Sequence, residues 1–84
     1  MKHATHGTLD LLDGLLDELR RLSGLKEKSR GAFYRKSGAF LHFHEDPAGL
    51  FADLKEGGDW VRYAVNTKAE QKRLAVRVRV TLGA

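Results

Sequence analysis

Two apolar-rich segments of strand length flank the only proline of this 84-residue chain. Residues 40–44 (Phe-Leu-His-Phe-His) precede it and residues 50–55 (Leu-Phe-Ala-Asp-Leu-Lys) follow it. Between them lies Glu-Asp-Pro-Ala-Gly, whose composition is typical of a turn. We therefore predict a β-hairpin here. A hairpin alone is at best marginally stable in water, so the rest of the chain has to complete the sheet and cover one of its faces.

Further strands are predicted on both sides of this hairpin. Residues 32–36 form a first strand that a tight Ser37-Gly38 turn connects to the hairpin. Residues 60–65 are rich in aromatic and β-branched side chains and follow a Glu-Gly-Gly-Asp turn. Because short turns join antiparallel neighbours, the sequence predicts a four-stranded antiparallel meander.

An amphipathic helix is predicted before the sheet, over residues 9–22 with Thr8 as its N-cap. The leucines of this segment fall on one broad face and exceed what a small sheet requires, so we expect part of that face to meet a second subunit. These leucines are Leu9, Leu11, Leu12, Leu15, Leu16, Leu19 and Leu22.

The last segment contains two conflicting patterns. Thr67 and Glu70 have the spacing of a capping box, which predicts a helix that begins at Lys68. Residues 76–82 alternate strictly between valine or leucine and polar side chains, as a strand does. We favour a helix throughout because the cap is specific, with a strand over 74–82 as the alternative. In the helix Val76 and Val80 point away from the core, which again indicates a dimer surface.

Together these elements predict a single α+β domain over residues 8–84, with an N-terminal helix, the meander and a C-terminal helix. Residues 1–7 have no periodicity and are expected to form a flexible N-terminal arm. Both helices should cover one face of the sheet. The predicted core comprises Leu12, Leu16, Leu19, Phe33, Leu41, Phe43, Ala52, Val61, Tyr63, Leu74 and Val78.

Composition limits the class of protein. There is no cysteine, which excludes disulfides and thiolate metal sites from this sequence. No apolar segment approaches the length of a membrane span and no signal-peptide pattern is present, so we expect a cytoplasmic protein without membrane contact. The net charge of +4 is mildly basic and is compatible with an anionic partner.

The basic residues concentrate before and within the first predicted strand. This segment carries cations next to Phe33 and Tyr34, a combination that can contact phosphates and stack on bases. It predicts a candidate nucleic-acid surface formed by Lys26, Lys28, Arg30, Arg35 and Lys36.

Two histidines of the hairpin form a candidate metal site. His42 and His44 lie two residues apart on one strand and therefore share a face of the sheet. Imidazole suits zinc, nickel and iron, and Asp53 on the facing strand is the most plausible additional ligand. His3 and His6 lie in the predicted arm and are expected to have no role.

The sequence does not predict catalysis. Glu45 and Asp46 are neighbours in a turn, where both carboxylates are expected to be solvated rather than tuned apart as an acid and base pair. No serine lies in a nucleophile elbow and no glycine-rich phosphate loop is present. We therefore expect no enzyme activity, no cofactor and no small-molecule substrate.

The Phe-Leu-His-Phe-His-Glu-Asp-Pro hairpin and the Trp-Val-Arg-Tyr strand, set between two helices, resemble small bacterial domains of unknown function. The layout is similar to that of the MmcQ/YjbR-like family, whose members are often labelled DNA-binding, and no functional residue carries over from it. We predict a non-enzymatic binding or interaction module that self-associates as a homodimer. Nucleic-acid binding is the first alternative and histidine-based metal binding the second.

Overall fold

A computed structural model describes residues 2–83 of the chain as one α+β unit. In chain order its elements are β1 (Lys2–His3), α1 (His6–Asp10), α2 (Asp13–Arg20), β2 (Lys26–Ser29), β3 (Ala32–Arg35), β4 (Gly38–Asp46), β5 (Gly49–Glu56), β6 (Asp59–Ala64) and α3 (Lys68–Gly83). The α+β class, the antiparallel sheet and the C-terminal helix are confirmed. The element count is wrong, because the described chain has six strands and three helices.

The sheet is an antiparallel series in the order β2-β3-β4-β5-β6, and β1 pairs separately with β4. Strands β3 to β6 are the predicted meander. The sequence missed β2 because its four residues, Lys-Glu-Lys-Ser, have no apolar alternation. An edge strand with mostly exposed side chains does not need an apolar alternation, and its lysines discourage pairing with another chain.

The segment predicted as a flexible arm contains the first strand. Strand β4 is longer than β3, and β1 pairs with the part of β4 that β3 does not reach, with Lys2 opposite Glu45 and His3 opposite His44. The amide of Thr5 also donates to the Glu45 carboxylate over 2.7 Å. These contacts hold residues 2–5 against the sheet. Met1 lies outside the described residues.

The predicted helix over residues 9–22 is divided in two. Thr5, rather than Thr8, caps α1, because its hydroxyl accepts the Thr8 amide hydrogen. A turn at Leu11 and Leu12 then interrupts the helix before α2 begins. The break leaves the Leu11 side chain 73% exposed, while Leu12 is buried.

Helix α3 forms as the capping box predicts. The amide of Glu70 donates to the Thr67 hydroxyl and the amide of Thr67 donates to the Glu70 carboxylate, each over 3.1 Å. The helix continues to Gly83, so the strand alternative for 74–82 is wrong. Leu74 and Val78 are fully buried, which shows that packing on the sheet overrides the alternating pattern.

The core lies between one face of the sheet and the helices. Nine of the eleven predicted core residues are buried, and Val61 and Tyr63, on the edge strand β6, are half-buried. Along β4, Leu41 and Phe43 point into this core, and a bulge turns Phe40 into it as well, while His42 and His44 point to the opposite face. Among the described residues no helix covers that second face. Within residues 2–83 no helix is long and apolar enough to cross a membrane.

Candidate metal site on the open sheet face

The open face of the sheet brings together three histidines from two strands. His42 and His44 alternate with the core residues of β4 and therefore share this face. Strand β1 places His3 directly opposite His44. One ring nitrogen from each of the three side chains lies within 4.8 Å of the others. We call His3, His42 and His44 the histidine cluster.

The three imidazole rings lie close together, and the rings of His3 and His44 are stacked with an interplanar angle of 29°. Their centroids are 4.7 Å apart for His42 and His44, 5.0 Å for His3 and His44, and 5.8 Å for His3 and His42. The planes of His42 and His44 are inclined at 77°, so these two rings are not stacked face to face. The nitrogens of His42 and His44 therefore approach each other edge to edge.

The nitrogen Nε2 of His44 is where the polar groups of this face converge. It lies 2.8 Å from Nδ1 of His42 and 3.0 Å from Oδ2 of Asp53. The register explains the approach, because Asp53 on β5 lies opposite His42 and diagonal to His44. The structure thus brings together the three ligands predicted from the sequence and adds His3 to them.

Asp53 is held by an arginine from the next strand. Arg62 lies opposite Asp53 on β6 and donates from Nε to Oδ1 over 2.9 Å and from Nη2 to Oδ2 over 3.0 Å. These two hydrogen bonds lower the pKa of Asp53 below its usual value despite its burial. The carboxylate is therefore ionised at neutral pH, with both of its oxygens engaged by Arg62.

Burial lowers the pKa of His42, and the neighbouring His44 lowers it further. At neutral pH His42 is consequently an uncharged imidazole with a lone pair on one nitrogen, the form that binds metal ions. The ring of Trp60 packs against it edge to face, with centroids 4.7 Å apart. Trp60 is the only tryptophan of the chain, so it reports directly on this site.

The other nitrogen of His44 is buried without a partner. Among the described residues it is the only buried side-chain nitrogen or oxygen with no hydrogen bond.

Sequence reasoning missed His3 because a two-residue strand has no recognisable pattern. Its only signal was the residue type, which His6 shares. His6 lies outside the histidine cluster: its Nδ1 is 3.3 Å from a terminal nitrogen of Arg30. Both histidines were expected to have no role; the structure places His3 in the histidine cluster and His6 outside it.

The five cations of the predicted nucleic-acid surface differ in the contacts they make. Arg30 donates to Asp10 and Asp13 beside α1 and α2. Arg35 donates to the last carbonyl groups of α3, at Thr81 and Leu82. The remaining three are Lys26, Lys28, whose Nζ lies 4.5 Å above the Tyr34 ring, and Lys36, which is exposed. Two of the five are thus occupied by contacts within the protein.

Comparisons of the chain with protein-family models, with curated proteins and with solved structures found no match.

Proposed function

We propose that this protein binds a divalent transition-metal ion of the zinc type through the histidine cluster. The observation that carries the proposal is the convergence of three imidazoles from two separate strands on one open face. A pair of histidines two residues apart is common on strands. The third histidine comes from the start of the chain and is positioned by its own backbone pairing.

The ring spacing fits one shared ion. Imidazole ligands bound at about 2.0–2.1 Å in a tetrahedral arrangement have ring centroids about 5 Å apart and nitrogens about 3.3 Å apart. The observed centroid distances of 4.7, 5.0 and 5.8 Å bracket that value. The nitrogens of His42 and His44, at 2.8 Å, need to separate by only a few tenths of an ångström.

Asp53 supports the site in two ways. Its Oδ2 already contacts the His44 nitrogen that faces His42, so it is placed to act as a fourth donor beside the three imidazoles. Its negative charge also offsets the charge of a bound cation. Zinc accepts this combination of nitrogen and carboxylate oxygen ligands, which suits a chain that has no cysteine.

The proposal is tested by titrating the protein with Zn²⁺ and with Co²⁺ while following the fluorescence of Trp60. Because this ring contacts His42, binding changes its emission, and paramagnetic Co²⁺ quenches it. Tetrahedral Co²⁺ also gives an intense visible absorption that an octahedral ion lacks. We expect saturation at one ion per chain.

Single histidine variants separate the site from general binding to surface imidazoles. His42→Ala and His44→Ala should each weaken zinc binding at least about tenfold. Losses of about tenfold to a hundredfold are found even for the outer-shell partners of metal ligands. His6→Ala is the matched control, because His6 belongs to the same segment as His3 but not to the cluster. Equal loss in His6→Ala, or unchanged binding in His42→Ala, would contradict the proposal.

A further inference from the structure

A cavity of about 490 Å³ lies beside the histidine cluster, between the end of β1 and the start of β3. Both strands pair with the same edge of β4 and leave a gap between them, because Ala32 on β3 lies opposite His42 whereas His3 on β1 lies opposite His44. The side chains of His3 and His42 line this cavity. Two of the three imidazoles of the histidine cluster are therefore part of its wall.

Asp53 approaches the histidine cluster from the other side. It belongs to β5, which pairs with the opposite edge of β4. Both of its oxygens are held by Arg62 on β6, one strand further from the cavity. An ion in the cluster therefore has Asp53 on one side and the cavity on the other, and a contact with Asp53 leaves the cavity side open.

The described residues that line the cavity combine apolar and polar side chains and include no acidic one. Leu9 and Phe43, each 3% exposed, supply buried apolar surface. Arg30 is the one arginine of this lining, and Asp10 and Asp13, which lie outside the lining, already pair with it. The main uncompensated positive charge at the cavity is therefore that of the bound ion, which suits a ligand with a single negative charge and an apolar body.

We propose that the ion keeps an exchangeable coordination position that faces this cavity, and that a small organic carboxylate occupies it. This inference rests on the metal binding proposed above. A carboxylate oxygen binds the ion, and the apolar body of the ligand packs on Leu9 and Phe43. Zinc with three protein ligands keeps a position open and can expand to five ligands, so the position is present with or without Asp53 as a donor. A cavity of about 490 Å³ falls within the range of roughly 300–1,000 Å³ that is typical of small-molecule pockets.

Titration of the Co²⁺-loaded protein with benzoate tests the proposal, because a new ligand on the ion changes its visible absorption. We expect a change that saturates at one benzoate per ion. Acetate has the same carboxylate with almost no apolar body, so it should bind at least about tenfold more weakly. Benzyl alcohol has the ring without the charge and should leave the spectrum unchanged.

A variant that fills the cavity shows where the carboxylate binds. Ala32 lines the cavity opposite His42 and is not a metal ligand, so Ala32→Leu should retain Co²⁺ binding and weaken benzoate binding at least about tenfold. Ala39→Leu is the matched control, because Ala39 is an exposed alanine of β4 that does not line this cavity. It should bind both Co²⁺ and benzoate as the wild-type protein does.

The possible failures are distinguishable. A Co²⁺ spectrum that benzoate leaves unchanged would overturn this proposal and leave metal binding intact, whereas a chain that does not bind Co²⁺ would overturn both. Equal affinities for benzoate and acetate, or an unchanged benzoate affinity in Ala32→Leu, would show that the ligand does not enter the cavity and would also overturn the proposal.

Discussion

Replacing Gly49 with alanine should destabilise the protein more than replacing Gly57 with alanine. Gly49 begins β5 with φ of +133°, a conformation that side chains rarely adopt. A Cβ atom there would lie 2.6 Å from Oδ1 of Asn66 and 3.0 Å from its Nδ2. That same Oδ1 accepts the amide hydrogen of Leu50 over 2.8 Å. The new methyl group therefore displaces the side chain that ties β5 to the end of β6.

The expected loss of stability is the sum of the backbone strain and the lost hydrogen bond. The backbone strain costs about 1–3 kcal/mol and the lost hydrogen bond about 1 kcal/mol, which together give roughly 2–4 kcal/mol. For a domain of this size, the melting temperature should fall by roughly 10 to 25 °C. Thermal and urea unfolding followed by circular dichroism measure both quantities.

Gly57→Ala is the matched control for this prediction. Gly57 also has a positive φ, +59°, but nothing lies within 4 Å of its Cβ position. It should lose only about 1 kcal/mol from the left-handed conformation itself. In addition, Asn66→Ala should relieve part of the cost of Gly49→Ala, so the double variant should be more stable than the sum of the two losses predicts. An equal loss at Gly49 and Gly57 would refute the reasoning.

Three further predictions concern the ion pairs and the core. A hydrogen bond from Arg20 on α2 lowers the pKa of Glu27 below its ordinary value of 4.5. The stability that ionised Glu27 contributes is therefore fully present above pH 4.5 and is lost as the pH falls through the lowered pKa of the folded state. Urea titrations should therefore find Glu27→Gln less stable than wild type at neutral pH and equal to it in acid, and a constant gap would contradict this. Leu74→Ala should cost about 2–5 kcal/mol because this side chain is fully buried, whereas Val76→Ala on the same helix should cost less than about 0.5 kcal/mol. Equal losses in thermal unfolding would show that the burial pattern of α3 is wrong. Asp53→Asn should lower zinc affinity at least about tenfold in a competition titration with a chelator, because it removes the negative charge beside the bound ion. Unchanged affinity in this variant would exclude Asp53 from the site.

The strands and the last helix were largely predictable because their information is local. Strands β3 to β6 each have a strand-length apolar pattern bounded by turn residues. The boundary of α3 was predictable from the Thr67 and Glu70 cap, although the alternating valines favoured a strand. Which pattern prevails depends on burial: Leu74 and Val78 both reach the core on a helix, and the exposed valines are tolerated.

The elements that the sequence did not predict depend on contacts between residues far apart in the chain. Strand β1 forms only because β4 extends beyond β3 and leaves an unpaired edge, a length difference that no local pattern specifies. His3 enters the candidate site through this pairing and was missed for the same reason. The hairpin register is likewise a tertiary property, and the structure places Asp53, the additional ligand predicted from the facing strand, opposite His42.

Nitrogen-detected NMR of the imidazole side chains during a Zn²⁺ titration shows whether His3, His42 and His44 bind one ion together. The chain has four histidines, so each ring can be followed separately. We expect large shifts of one nitrogen each in His3, His42 and His44 that are complete at one equivalent, with His6 unchanged. Four equal shifts that continue to increase with added zinc, or no shifts at all, would contradict the account.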